Sequence, residues 1–269
     1  MWRPCLTWAL TRWSVVTIPA RYQPCVEWWS WLPITKYAWN NLGRAYLGLD
    51  SLDLAMAAFR RQTQINPYDE FAHNNLGLAF ERLGATDSAL AAFKRQLAVN
   101  PLDQFANPNL GRLLYRRERY EEALPYLERS IKLDPAAWSP RAALIYAHAV
   151  LDQFDEALDL LRNSDAPDSV VVPLYDRLTS LLFTGEDFES AYMLGQEVTD
   201  RFATNAEAWA VLARAALGAQ KIDVAKSAYR RVLELDPKWM DTRPGEGSIW
   251  DELQKIPSRI PLRDGNRHT

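Results

Sequence analysis

Cysteine and long apolar runs are scarce in this sequence, and each absence excludes a class of protein. The chain has two cysteines, Cys5 and Cys25, which are too few for disulfide bonds to hold the fold together. The two thiols can pair in an oxidising compartment or remain free. No uninterrupted apolar stretch reaches the roughly 18 residues that a transmembrane helix needs. The sequence therefore predicts no membrane span, and a fold that depends on packing.

An excess of charge of one sign is missing too. The chain has 31 basic and 34 acidic side chains, which give a formal net charge of -3. Nucleic-acid-binding domains usually carry a clustered excess of Lys and Arg, because these side chains neutralise phosphates. The charge balance therefore argues against a nucleic-acid partner.

Side chains that catalyse reactions or hold metals are few. The chain has three histidines, His73, His148 and His268. The spacings His-Glu-x-x-His and paired Cys-x-x-Cys do not occur, and neither does a P-loop or a Gly-x-Gly-x-x-Gly motif. No nucleophile has a plausible base. We therefore expect no catalytic residue, no metal site and no cofactor, and we predict that the chain is not an enzyme.

The feature that the sequence does contain is a period of 34 residues. Leucine and alanine each recur at this interval through six repeats without interruption. The register set by these two columns gives repeats at 36–69, 70–103, 104–137, 138–171, 172–205 and 206–239. The leucines are Leu42, Leu76, Leu110, Leu144, Leu178 and Leu212, and the alanines are Ala55, Ala89, Ala123, Ala157, Ala191 and Ala225.

Spacing within a repeat predicts a pair of helices. Trp39, Leu42, Gly43 and Tyr46 lie three or four residues apart, so they share one face of a first helix. Small residues in the glycine and alanine columns let the two helices of a pair approach closely. Proline then stops the second helix, because it cannot donate the next backbone hydrogen bond, at Pro67, Pro101, Pro135 and Pro237.

These columns resemble the tetratricopeptide repeat, and the stretch from Trp39 to Tyr46 matches its pattern closely. The resemblance covers residues 36–239. It implies an all-α fold, a right-handed superhelical solenoid of antiparallel helix pairs with a concave groove. It also implies a protein–protein interaction scaffold or adaptor, whose protein or peptide partner binds in that groove. The oligomeric state is left open.

The segments outside the repeats have different compositions. Residues 1–35 hold six of the eleven tryptophans, and Arg12 and Pro19 interrupt the apolar stretches that a secretory signal would need. We expect a Trp-rich N-terminal segment or cap over the first repeat. Residues 240–269 are expected to form a C-terminal capping helix and a flexible tail.

Two boundaries near the C-terminus are predicted in more detail. The second helix of repeat four is expected to end early, at residues 163–167, with Val170–Val172 in a longer loop. A short strand at these valines is the alternative. The capping helix is expected to run over Ser248–Ile256, with Ser248 as its cap. Its apolar face toward the last repeat would comprise Trp250, Leu253 and Ile256.

The resemblance places the groove on the first helix of each repeat. It implies ten peptide-binding candidates in repeats one to three: Tyr37, Asn40, Asn41, Arg44, Phe71, Asn74, Asn75, Phe105, Asn109 and Arg112. Asn41, Asn75 and Asn109 precede the leucine column and resemble the asparagine ladder of O-linked N-acetylglucosamine transferase. That ladder holds the backbone of an extended peptide, since an amide both donates and accepts hydrogen bonds. The alternative is that these asparagines satisfy neighbouring helix groups.

Other groove positions allow a narrower prediction. The carboxylate clamp of chaperone-binding family members is matched at Asn75 alone, so we exclude a receptor for chaperone tails. The aromatic residues Tyr37, Phe71 and Phe105 recur at one position and either grip apolar side chains of a ligand or pack on the preceding repeat. The groove end is predicted to be cationic and to favour an acidic peptide, because of Arg44, Arg112 and Arg116.

A second functional hypothesis concerns a larger parent protein. Residues 66–72 and 100–106 resemble repeats that trail transglutaminase-like domains in some bacterial proteins. The chain would then be the docking or regulatory part of a multidomain enzyme.

Overall fold

The computed structural model describes residues 37–257, which contain helices and no β-strand. The predicted N-terminal segment with Cys5 and Cys25, the last residues of the predicted tail, and His268 lie outside the described residues. The chain divides into two compact units at Pro140 and Arg141. In the described part, unit one comprises residues 37–140 and unit two comprises residues 141–257.

Unit one is built from pairs of helices with constant lengths. In each pair the first helix has 11 residues and the second has 14. The helices are α1 (Ala38–Gly48), α2 (Leu52–Ile65), α3 (Ala72–Arg82), α4 (Thr86–Val99), α5 (Ala106–Arg116) and α6 (Tyr120–Leu133). The next helix, α7 (Trp138–Val150), begins three residues before the boundary between the units.

Close helix packing explains why glycine stands after the leucine in the first three repeats. A Cβ atom added to Gly43 would lie 2.5 Å from the Phe59 ring, and one added to Gly77 would lie 2.6 Å from the Phe93 ring. Non-bonded carbon atoms prefer roughly 3.5–4.0 Å. The aromatic ring of the second helix therefore occupies the space that a side chain would need on the first helix.

Replacing Gly77 by alanine should destabilise unit one. The added methyl group meets Phe93 in a packed core, and overpacking of this kind costs about 1–3 kcal/mol. Gly48→Ala is the matched control, because nothing lies within 4 Å of an added Cβ there. We expect a lower urea midpoint for Gly77→Ala, followed by circular dichroism, and an unchanged or higher one for Gly48→Ala. Equal midpoints for the two variants would contradict the packing argument.

The turn inside each helix pair places one residue in the left-handed backbone region. These residues recur every 34 positions, and they end the first helix so that the chain can enter the second. Glycine adopts this conformation freely, whereas a residue with a side chain is strained by roughly 1–2 kcal/mol. The φ angles are 55° at Asp50, 77° at Gly84, 58° at Glu118, 59° at Asp152, 60° at Glu186 and 58° at Gln220.

Unit two contains the remaining part of α7 and six further helices in its described residues. They are α8 (Phe154–Arg162), α9 (Asp168–Thr184), α10 (Phe188–Arg201), α11 (Ala206–Gly218), α12 (Ile222–Leu235) and α13 (Pro244–Lys255), with a 3-10 turn at Trp239–Thr242. Tyr175 and Leu178 of α9 are buried in one apolar cluster. Tyr229 and Trp239 are buried in a second cluster.

The prediction for Val170–Val172 is wrong. Helix α8 does end early, at Arg162, but these valines lie in α9, which begins at Asp168. Pro167 precedes the first helical residue, and Val171 and Val172 are buried in the core of unit two. The burial of these side chains therefore outweighs the β-propensity of a run of valines.

The last helix also differs from its predicted bounds. It begins at Pro244, four residues before Ser248, because proline is well suited to the first position of a helix. The hydroxyl group of Ser248 donates to the carbonyl oxygen of Pro244 instead of capping the helix. Leu253 is buried and Trp250 is partly buried, as predicted, but Ile256 follows the helix and is 43% exposed.

Candidate functional site

The first helices of unit one line a single cavity. Its volume is about 600 Å³, and nine of the ten predicted site residues surround it. Leu78 completes the lining, and Arg112 lies beside it, with its guanidinium 3.3 Å from the side-chain oxygen of Asn109. The lining residues are Tyr37, Asn40, Asn41, Arg44, Phe71, Asn74, Asn75, Leu78, Phe105 and Asn109.

A buried carboxylate places the first residues of α3 at the cavity. Asp69 is fully buried, and one of its oxygens accepts hydrogen bonds from the backbone N–H groups of Phe71 (3.0 Å) and Ala72 (2.9 Å). Its other oxygen accepts from the side-chain amide of Gln62 at 2.7 Å. These bonds tie the end of α2 to the start of α3, and they set the position of the Phe71 ring.

The same arrangement recurs 34 residues later. Asp103 accepts from the N–H groups of Phe105 (2.9 Å) and Ala106 (2.7 Å), and from the side-chain amide of Gln96 (3.0 Å). The Gln96 amide also donates to the carbonyl oxygen of Glu70 at 2.5 Å. The sequence signal for this network was the pair of similar segments at 66–72 and 100–106, together with a glutamine at equal distance before each.

Asparagines of successive repeats are joined by hydrogen bonds. The side-chain N–H of Asn75 donates to the side-chain oxygen of Asn40 at 2.8 Å. Asn109 donates to Asn74 in the same way at 2.9 Å. Asn40 and Asn74 are 3% and 5% exposed, so they form the floor of the cavity rather than an open face.

The three asparagines of the predicted ladder differ in whether they bond to another repeat. Asn75 and Asn109 each use one amide N–H to join two repeats, which is the structural role that the sequence left open. Asn41 is exposed, and its side chain has no hydrogen bond to any residue that the structure describes. An amide has two N–H donors and one oxygen acceptor, so all three still have polar atoms for a ligand.

Removing the amide of Asn109 should lower stability, whereas removing that of Asn41 should not. Asn109→Ala breaks the bond to the buried Asn74 oxygen, and the expected loss is about 1–3 kcal/mol. Asn41→Ala changes an exposed helix residue and should stay within about 0.5 kcal/mol. Melting temperatures from differential scanning calorimetry should separate the variants. Equal melting temperatures would show that the bond between the repeats contributes little.

Three aromatic rings form one wall of the cavity. The ring centroids of Tyr37 and Phe71 are 6.4 Å apart, and those of Phe71 and Phe105 are 6.3 Å apart. Contact between the rings agrees with the second of the two alternatives, in which they pack on the preceding repeat. Phe105 nevertheless remains 44% exposed, so the row presents apolar surface to the cavity.

The cationic character of this end of the groove is weaker than the sequence suggested. Arg112 and Arg116 both face Glu81, at 3.4 Å and 2.7 Å. Arg44 is exposed and has no ion pair among residues 37–257. One cationic side chain at the cavity is therefore left to attract an acidic group.

Two charged residues of unit two occupy positions equivalent to the lining of this cavity. Asp176 and Arg214 occupy positions that correspond to Asn40 and Arg44 in unit one. The Arg214 guanidinium contacts Asp176 at 2.5 Å and Glu246 of α13 at 2.9 Å. Residues of this chain therefore pair the charges of Asp176 and Arg214.

Comparison with protein families agrees with the geometry of these helix pairs. Models described as tetratricopeptide repeat match residues 37–69, 72–105, 109–137 and 206–238. The chain is a tetratricopeptide-repeat protein. Its all-α architecture of antiparallel helix pairs confirms the predicted fold class. Repeats of this family form protein-interaction scaffolds and are typically not catalytic.

Several solved structures are similar to this tetratricopeptide-repeat protein. A crystal structure of MamA is 15% identical, with a TM-score of 0.48, and the match covers 79% of this chain and 97% of that one. YrrB, described as a TPR protein with an unusual peptide-binding site, is 16% identical, with a TM-score of 0.48 and coverage of 71% and 98%. PilF of Pseudomonas aeruginosa is 22% identical, with a TM-score of 0.48 and coverage of 79% and 97%. No curated protein sequence matches the chain significantly.

The histidines of the described repeats have packing roles. His73 stands in the tryptophan column, and its Nε2 lies 3.3 Å from the carbonyl oxygen of Pro67, six residues earlier. Asn107 and Trp209, in the same column, donate to the carbonyl six residues before them at 3.1 Å and 2.8 Å. His and Asn can therefore make this contact in place of Trp. His148 is buried, with its Nδ1 2.7 Å from the side-chain oxygen of Gln153.

His73 should make the stability of unit one depend on pH. Burial lowers the pKa of His73 and Arg95 lowers it further, while the bond to Pro67 and the charge of Asp69 oppose the shift. The unfolded chain therefore binds a proton at a higher pH than the folded chain. The contribution of neutral His73 to the stability of unit one is therefore fully present above its ordinary pKa of 6.5. This contribution decreases as the pH falls through that value.

His73→Asn should reduce this dependence, because Asn107 shows that an amide can make the same bond. We expect the loss of stability between about pH 7.5 and pH 5.5 to be smaller in the variant than in the wild type. Urea unfolding at the two pH values measures both differences. If the variant loses as much stability as the wild type between the two pH values, groups other than His73 cause the pH dependence.

Membrane-spanning helices and metal-binding clusters are both absent from the described residues. Within residues 37–257, no helix has both the length and the apolar character to cross a membrane. In the same part of the chain, His, Cys, Asp and Glu side chains do not cluster in threes that could hold a metal ion.

Proposed function

We propose that this protein is an interaction scaffold that binds an extended segment of a protein partner in the cavity of unit one. The observation that supports this proposal most directly is the convergence of five asparagines on one cavity between three repeats: Asn40, Asn41, Asn74, Asn75 and Asn109. Amide groups match the hydrogen-bonding pattern of a peptide backbone and ignore the side chains of the ligand.

The hydrogen bonds between asparagines of neighbouring repeats favour binding of a ligand's backbone, because they fix the orientation of the amide groups. When Asn75 donates one N–H to Asn40, its amide plane is held in place. Its oxygen and its second N–H are then oriented before a ligand arrives. Asn109 is held in the same way by its bond to Asn74, but its oxygen already accepts from the Arg112 guanidinium, so its second N–H is the group left for a ligand. Binding to such a preorganised surface loses less side-chain entropy than binding to mobile amides.

A photocrosslinking experiment tests the site. A benzophenone amino acid replaces Asn41 at the cavity or, as the matched control, Lys94, which is exposed on α4 and does not line the cavity. We expect the Asn41 position to crosslink one protein through a single short segment in lysate of the source organism. The control position should not give this product.

The crosslinked segment is then synthesised as a peptide. Fluorescence anisotropy should show that Asn41→Ala weakens its binding by about three-fold to ten-fold, since one or two backbone hydrogen bonds are lost. Because Asn41 makes no bond within the described protein, this effect is separable from folding. Equal crosslinking from both positions, or unchanged affinity of the variant, would contradict binding in the cavity.

The docking hypothesis for a larger enzyme stays a prediction. Residues 66–72 and 100–106 form the turns whose buried Asp69 and Asp103 position the following helices. Their similarity to each other therefore follows from a shared structural task.

A further inference from the structure

The spacing of the aromatic wall is a measurable property of the cavity. Its ring centroids are separated by 6.4 Å and 6.3 Å along the row Tyr37, Phe71 and Phe105. An extended polypeptide advances about 3.3 Å per residue, so side chains on one of its faces recur every 6.6 Å or so. The spacing of the rings therefore matches a two-residue repeat in an extended ligand.

The order of residues along each helix positions such a ligand. In α1 and the residue before it, Tyr37 is followed by Asn40 and Asn41 and then by Arg44. Seven helical residues span about 10 Å, so the asparagines lie between the ring row and Arg44. A backbone held by the asparagines thus points alternate side chains at the rings and away from them, toward Arg44 and Leu78.

We propose that the segment bound in this cavity carries an apolar side chain at every second residue, facing Tyr37, Phe71 and Phe105. This inference rests on the function proposed above and adds a sequence preference to it. Backbone binding by amides accepts any sequence, whereas the ring row favours apolar side chains at one spacing. The intervening side chains face a mixed surface, where the unpaired Arg44 favours an acidic residue.

Two isomeric peptides test the spacing. Both are fluorescent nonapeptides with three leucines in a serine and glycine host, and they differ only in spacing. One has leucine at every second position and the other at every third. Anisotropy with the full chain should give at least about ten-fold tighter binding for the first peptide, because only it can bury three leucines on the rings.

Variants of the rings identify the source of this preference. Phe71→Ala removes the middle ring and should bring the affinities of the two peptides within about two-fold of each other. Phe105→Ala, at a ring that is 44% exposed, provides the same readout if Phe71→Ala loses helicity. Tyr68→Ala is the matched control, because this aromatic side chain is 78% exposed and does not line the cavity.

The outcomes distinguish this inference from the function on which it rests. Equal binding of the two peptides, a preference that persists in both ring variants, or no binding of either peptide overturns the inference. If the peptides bind equally but Asn41→Ala weakens both, backbone binding in the cavity stands and the spacing rule fails. If Asn41→Ala weakens neither peptide, the proposed function fails as well.

Discussion

Two buried carboxylates organise the candidate site of this protein. Asp69 and Asp103 are shielded from water, yet each accepts hydrogen bonds from two backbone N–H groups and a glutamine amide. Burying a charge is unfavourable unless such partners surround it. The helix start, the turn and the preceding helix are therefore held together as one arrangement. Phe71 and Phe105 lie two residues after these aspartates and donate their backbone N–H groups to them, so this part of the cavity wall depends on these bonds.

The asparagines show how one residue type serves both stability and binding. Asn75 and Asn109 join neighbouring repeats, and the same bonds orient the polar atoms that remain for a ligand. A substitution at these positions changes the fold and the site together. Asn41 has no such bond and reports on the site alone. The hydrogen bonds that join neighbouring repeats of unit one therefore also shape the surface of the cavity.

The period of 34 residues was sufficient to predict the helix pairs, because equivalent positions must face the same way in every repeat. The resemblance to the tetratricopeptide repeat placed the groove on the first helices, and nine of the ten residues that it implied line the cavity. It could not show that Asn40 is buried while its neighbour Asn41 is exposed, since that depends on how repeats stack. The valines at 170–172 followed tertiary burial instead of their own propensity. The pairing of Arg112 and Arg116 with Glu81 also joins different repeats, so local sequence did not reveal it.

The left-handed residues inside the helix pairs have a consequence for how such a protein can change. Five of the six described positions hold Asp, Glu or Gln, and only Gly84 is free of the steric penalty. At each of the five positions that hold Asp, Glu or Gln, a single substitution to glycine removes the steric strain without altering a residue of the cavity lining. The array can therefore gain stability in its loops while its groove face diverges, so that thermal robustness and ligand choice can evolve along separate routes.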